Sequence, residues 1–371
     1  MPDWCVEKLG RIADTPFAFL LPLGHFSTQR SSWHNRIQAL TMTLIICLIA
    51  VALVFDFLNG LHDAANSIAT IVSTRVLSPR YAVGWAAFFN FIAFLVFGLH
   101  VAATIGTGII APSIINDQVI FGALMGAIVW NIVTWLAGIP SSSSHALIGG
   151  LVGAGLCRGG WNAIVWQGLS KTAAAIVVSP ATGFVLALLM VLLVAWLFLK
   201  VTPFKADRIF RHVQFLSASA YSLGHGGNDA QKTMGIIAAL LFAHGLESGG
   251  FHVPFWVVLA CQTAMALGTL FGGWRIVRTM GSRITHLTPS QGVCAETAGS
   301  ITLFAANYMG IPVSTTHTIT GAIVGVGTAR RVSAVRWNVA KDIVVAWIIT
   351  MPAAGLIGAV FYLLAHAAGL T

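Results

Sequence analysis

The segment Gly138 to Gly155, GIPSSSSHALIGGLVGAG, returns 172 residues later as Gly310 to Gly327, GIPVSTTHTITGAIVGVG, with 9 of 18 positions identical. Pro140, Ser142 and His145 recur as Pro312, Ser314 and His317. The same offset sets Pro180-Ala181 and Gly183 against Pro352-Ala353 and Gly355. At an offset of 166, His62-Asp63-Ala64-Ala65-Asn66-Ser67 aligns with Asn228-Asp229-Ala230-Gln231-Lys232-Thr233. A chain duplicated in this way folds as two related halves, which restricts it to architectures with internal symmetry.

The medium of the fold follows from the apolar runs. Long runs cover about 40–59, 82–105, 118–138, 172–199, 213–224, 253–273, 290–309 and 342–366. A helix needs about 20 apolar residues to span a bilayer. Only 8% of the residues are charged, against about a quarter in soluble domains, too few to cover a water-facing surface. A soluble enzyme, a disordered chain and a disulfide framework are thereby excluded, and an all-α polytopic membrane protein in contact with the lipid bilayer is expected. The net charge of +9 lies mostly in short loops between apolar runs, the mark of membrane topology; nucleic acid is not expected as a partner. The five cysteines form no ligand spacing and read as small fillers.

Thirteen basic residues fall in one set of loops: Arg75 and Arg80, Lys200 to Arg211, Arg275 to Arg283, and Arg330 to Lys341. The intervening loops hold only Arg158 and Lys171. The positive-inside rule makes the first set cytoplasmic and places the C-terminus outside. Each cytoplasmic loop of one half pairs with an external loop of the other, so the repeats are inverted in topology, the architecture of secondary transporters. The expected organisation is repeat 1 over 40–199, a basic cytoplasmic linker at 200–212, and repeat 2 over 213–371. Residues 1–39 form an extension that breaks the charge rule, and Met42 stands at the head of the first apolar run.

Four shorter segments, 60–74, 141–157, 226–243 and 313–328, concentrate Gly, Ser, Thr, Asn and Asp. Such stretches suit broken helices and re-entrant hairpins lining a cavity, which brings the expected membrane segments to about 10–12. Asp63 and Asp229 are repeat mates beside Asn59-Gly60 and Gly226-Gly227-Asn228, where helix breaks are expected. Intramembrane ionisable residues are costly and mark function; Asp56, Glu296 and Lys232 join the two aspartates on that ground. Ser141 to Ser144 and Ser314 to Thr316 each follow Gly-Ile-Pro and precede a helical stretch. Pro followed by Ser or Thr is what a helix start prefers. Each tract therefore offers hydroxyls, free N–H groups and a positive helix end, together an anion site. Two such sites face to face suit a multivalent oxyanion. The carboxylates then serve coupling cations, Na⁺ or H⁺, or accept a hydrogen bond from a protonated oxyanion. The bland alternative for each tract is hydroxyls bonded to their own backbone. His145 and His317 read as cap-stabilising; Gly98, Gly149, Gly150, Gly153 and Gly155 read as packing glycines.

The stretch Asp56-Phe57-Leu58-Asn59-Gly60-Leu61-His62-Asp63-Ala64-Ala65-Asn66-Ser67-Ile68-Ala69-Thr70 resembles the signature of the inorganic phosphate transporter (Pit) family. So do Gly227 to Gly235 and Gly310 to His317, and the likeness covers the chain after residue 40. The resemblance implies import of inorganic phosphate by Na⁺ or H⁺ symport with alternating access, in the cytoplasmic (inner) membrane, with no enzyme activity. The short linker matches compact bacterial members. The resemblance carries phosphate contact onto Asn66, Ser142, Ser143, Ser144, Lys232, Ser314, Thr315 and Thr316. It carries the coupling cation onto Asp63 and Asp229, which would hold Na⁺ in a sodium-coupled protein, and onto Asp56 and Glu296. No cofactor is implied beyond Na⁺, and a homodimer stays open. The rivals are an uncoupled anion channel, a hydrolase built on His62-Asp63, and a transporter of sulfate, arsenate or a metal–phosphate complex.

Overall fold

A computed structural model describes the backbone of residues 23–247 and 250–369, and side chains from residue 38 onward within them. Two compact units are distinguished, Met1–Cys47 and Leu48–Thr371. Of the expected extension, residues 1–22 lie outside the described residues. Everything that follows concerns the second unit.

Among the described residues there are twelve α-helices and no strand beyond one isolated bridge. They are α1 (Leu23–Ser73), α2 (Pro79–Ile92), α3 (His100–Gly108), α4 (Asp117–Ala137), α5 (Ser143–Gly159), α6 (Trp166–Leu197), α7 (Pro203–Ala243), α8 (Phe255–Phe271), α9 (Trp274–Arg278), α10 (Pro289–Tyr308), α11 (Thr315–Arg330) and α12 (Trp337–Ala367). Four helices are long and apolar enough to cross a membrane, or six if two bent pairs each count as one span. Helices such as α7 and α11 fall short of that measure because they carry the polar residues of the site. The proposed linker is shorter than its charge suggested: α7 starts at Pro203, so Lys205, Arg208 and Arg211 sit on its first turns.

The duplication is visible in the packing. Helix α5 packs on α12, and its mate α11 packs on α6, the mate of α12. Likewise α4 meets α12 while α10 meets α6, and α2 meets its own mate α8. Small residues permit these approaches: Gly149 and Gly153 of α5 lie against Met351 and Gly355, Gly321 and Gly325 of α11 against Pro180 and Phe184. The loops repeat too. The amide of Ala111 donates to the Ala163 carbonyl (2.9 Å), and that of Arg336 to the Ile284 carbonyl (2.9 Å).

One expectation is overturned. Helices α1 and α7 run unbroken through Asn59-Gly60 and Gly226-Gly227. These glycines are contact points rather than breaks. Gly60 lies on the backbone of Met265, Gly226 on that of Asn90, and Gly227 under the ring of Phe97. The breaks fall elsewhere: α2 with its short 3-10 extension turns into α3 by 80°, and α8 into α9 by 62°. Each short half-helix covers the hairpin turn of the other repeat. Thr104 Oγ1 donates to the Gly310 carbonyl (2.7 Å), and Thr279 Oγ1 to the Gly138 carbonyl (3.1 Å). Gly138 and Gly310 have φ of 67° and 66°, the left-handed region a side chain disfavours.

Candidate functional site

The hairpin tips set the site. After Gly138-Ile139-Pro140 the chain reaches Ser142, whose Oγ accepts from the amide of His145 (3.2 Å) and starts α5. Ser314 does the same for His317 (3.2 Å) and α11. The sequence put both serines among the phosphate contacts; the structure gives their oxygens to capping. Loss of such a cap costs about 1 kcal/mol, so Ser142→Ala and Ser314→Ala should each lower the thermal midpoint slightly and leave uptake near normal. Loss of uptake with unchanged stability would return these serines to the substrate.

The next residues face the long helices. Asn66 Nδ2 donates to Thr315 Oγ1 (3.1 Å) and Thr316 Oγ1 (3.0 Å). Its repeat mate Lys232 does the equivalent, its Nζ donating to Ser144 Oγ, to Asp229 Oδ1 and to the Val313 carbonyl (2.9 Å). Each signature helix thus holds the hydroxyl start of a hairpin helix in the opposite repeat. Asp229 Oδ2 also accepts from Thr315 Oγ1 (2.8 Å) and lies 3.1 Å from His225 Nε2. Asp63 Oδ1 accepts from His62 Nδ1 (2.8 Å) and from Thr316 Oγ1 (3.3 Å). All of these side chains are buried. Lys232 is 1% exposed, so its ammonium has left water entirely, which is tolerable only because a carboxylate and two oxygens replace the hydration shell.

Six expected residues therefore meet in one place: Asp63, Asn66, Asp229, Lys232, Thr315 and Thr316, with Ser144 as a seventh. Ser143 Oγ is buried without a hydrogen bond among the described residues. Asp56 stands apart, beside Asn59, Thr233 and Cys261, with neither oxygen in a well-formed hydrogen bond. Glu296 is bound to another set, accepting from Gln214 Nε2 (2.9 Å) and from Ser217.

Several partners went unread in the sequence. His225 holds Asp229 and hydrogen-bonds Ser67 Oγ through Nδ1 (3.1 Å). The hydroxyl of Tyr221 donates to the Thr315 carbonyl (2.9 Å). Asp63, His225 and Asp229 each offer a ligand atom within 4.8 Å of the others. The signal was helical spacing: His225, Asp229 and Lys232 follow at i, i+4 and i+7, as Asn59, Asp63 and Asn66 do.

Residues 59–358 match the model of the phosphate transporter family. The chain belongs to this family. It is 75% identical over 323 residues to a protein of Rhizobium meliloti (strain 1021) named "Probable low-affinity inorganic phosphate transporter", covering 87% of this chain and 97% of that one. A protein of the same name from Bacillus subtilis (strain 168) is 43% identical over 325 residues, covering 87% and 96%. A solved structure titled "The sodium-dependent phosphate transporter" superposes with a TM-score of 0.79 at 26% identity, covering 88% of this chain and 99% of its own. The fold of two repeats with bent helices is thus that of a known transporter.

Proposed function

We propose that this phosphate transporter is a secondary active symporter that imports inorganic phosphate with Na⁺ or H⁺ by alternating access. The observation that carries the reading is the placement of Lys232 between the carboxylate of Asp229 and the hydroxyl start of α5. A buried ammonium can answer one strong anion at a time. While it neutralises Asp229 it is withheld from phosphate. A cation bound at Asp229 and Asp63 would release Lys232 toward phosphate, so each ligand would favour the other. Lys232, Asn66, Ser143, Ser144, Thr315 and Thr316 would hold the anion, aided by the positive ends of α5 and α11.

Hard oxygens from Asp63, Asp229, Thr315 and Thr316 suit Na⁺, and the sodium dependence of the structural relative supports the same ion. A co-transported cation also offsets the work of moving a divalent anion against the potential, about 2.3 kcal/mol per charge per 100 mV. Asp56 would be an accessory cation residue. Glu296, held by Gln214 and Ser217, fits a structural role better than its expected place in coupling. The basic loops support a cytoplasmic membrane with the C-terminus outside.

The test is labelled phosphate uptake into proteoliposomes under an imposed Na⁺ gradient, then an imposed H⁺ gradient, with Asp63→Asn alongside. Accumulation under one gradient, abolished by Asp63→Asn, is the expected result and names the ion. Phosphate that only equilibrates under every gradient would make the protein an uncoupled pathway. Entry of sulfate but not phosphate would overturn the substrate.

A further inference from the structure

His145 and His317 are repeat mates that touch. Their rings lie 4.6 Å apart in an edge-to-face arrangement, so they sit on the pseudo-two-fold axis itself. Both are fully buried. None of their four ring nitrogens makes a well-formed hydrogen bond among the described residues. Burying an imidazole without full hydrogen bonding is costly, and an apolar ring would fill the space at lower cost. Packing alone therefore does not explain two histidines at this point.

The contact closes a circuit between the two hairpins. His317 stacks on Trp347 with centroids 3.8 Å apart and an interplanar angle of 22°. The indole of Trp347 in turn donates to the carbonyl of Pro140 (3.3 Å), in the tip of the other hairpin. A path thus runs from α5 through His145, His317 and Trp347 back to the chain just before α5. Beside it, Ser144 Oγ donates to the Val313 carbonyl (3.4 Å), a direct link between the tips. Each histidine follows directly on the hydroxyl residues that Lys232 and Asn66 hold. Any shift of one ring moves the hydroxyl donors of its own hairpin.

We propose that His145 and His317 are positioning residues that lock the two hairpin tips into one register, so that both halves of the phosphate site form and move together. The inference rests on the phosphate-binding reading of that site. It makes the tips a single unit, in contrast to two gates that open independently.

The experiment is equilibrium binding of labelled inorganic phosphate, with saturating Na⁺, to purified wild type, His145→Ala, His317→Ala and the double variant. Thermal midpoints without phosphate are recorded beside it. Each single change should weaken phosphate binding roughly three- to tenfold, the range of one aromatic contact. The double variant should be no weaker than the worse single one, because each breaks the same contact. His317→Phe, which keeps a ring on Trp347, should bind within about twofold of wild type. Additive losses in the double variant would overturn the lock. Unchanged phosphate binding with lowered midpoints would reduce the pair to packing. Failure of His317→Phe at an unchanged midpoint would show that the nitrogens act on the ligand directly. Wild type that binds no phosphate would instead overturn the functional reading beneath. Should the alanine variants not fold, Trp347→Phe and His317→Phe separate the indole's link to Pro140 from the ring contact by the same two measurements.

Discussion

Lys232→Met should abolish concentrative phosphate uptake and destabilise the protein by roughly 3–5 kcal/mol, the penalty for stranding one partner of a buried ion pair. The carboxylate of Asp229 is fully buried and receives Lys232, Thr315 and His225. With the ammonium gone, one hydroxyl and one imidazole must carry the negative charge. Ser144 and the Val313 carbonyl lose their donor in the same step. The double variant Lys232→Met/Asp229→Asn should regain most of the stability, since removing both charges of a buried pair costs far less than removing one. It should not regain uptake, because the charge that would answer phosphate is still missing. Thermal midpoints and uptake of the two variants, measured together, separate the structural from the transport role. Equal midpoints for Lys232→Met and wild type would show that the pair contributes nothing to the fold.

The identity of this site was legible because its chemistry is local. Aspartates at 63 and 229, and hydroxyl tracts after Gly-Ile-Pro, are conspicuous in an apolar chain. Their meeting was legible because the repeats are mates. The partners were harder. His225 and Tyr221 lie one and two turns before Asp229 on α7, and only an unbroken helix puts them on its face. Reading Gly226-Gly227 as a break hid that face. Similarly, Ser142 and Ser314 carry the same hydroxyl as Ser144 and Thr316. Which of them caps the helix and which faces the long helices depends on where the first turn starts, a matter of one residue. Glu296 looked like a fourth coupling acid by burial alone. Its partner Gln214 lies 82 positions away on α7, and no spacing rule announces such a contact.

Gly226→Ala tests the reading of the glycines by the sign of its effect. In a helix interior alanine is more favourable than glycine by about 1 kcal/mol. If Gly226 were there to break or loosen α7, the substitution would raise the thermal midpoint and slow uptake. The packing predicts the opposite. A Cβ at Gly226 would press into the backbone of Asn90 on α2, and backbone cannot turn aside as a flexible side chain does. Overpacking of this kind costs roughly 1–3 kcal/mol, which outweighs the propensity gain. Gly226→Ala should therefore lower the midpoint, and Gly226→Val should lower it further. Uptake should fall with it, because Asp229 follows Gly226 by one turn and Asn90 contacts His225 (3.3 Å). Gly60→Ala on α1 should behave alike, since its added methyl meets the Met265 backbone on α8. Two glycines one turn before two aspartates, each seated on a helix of the opposite repeat, fix how close the signature helices come to the bent helices beside them.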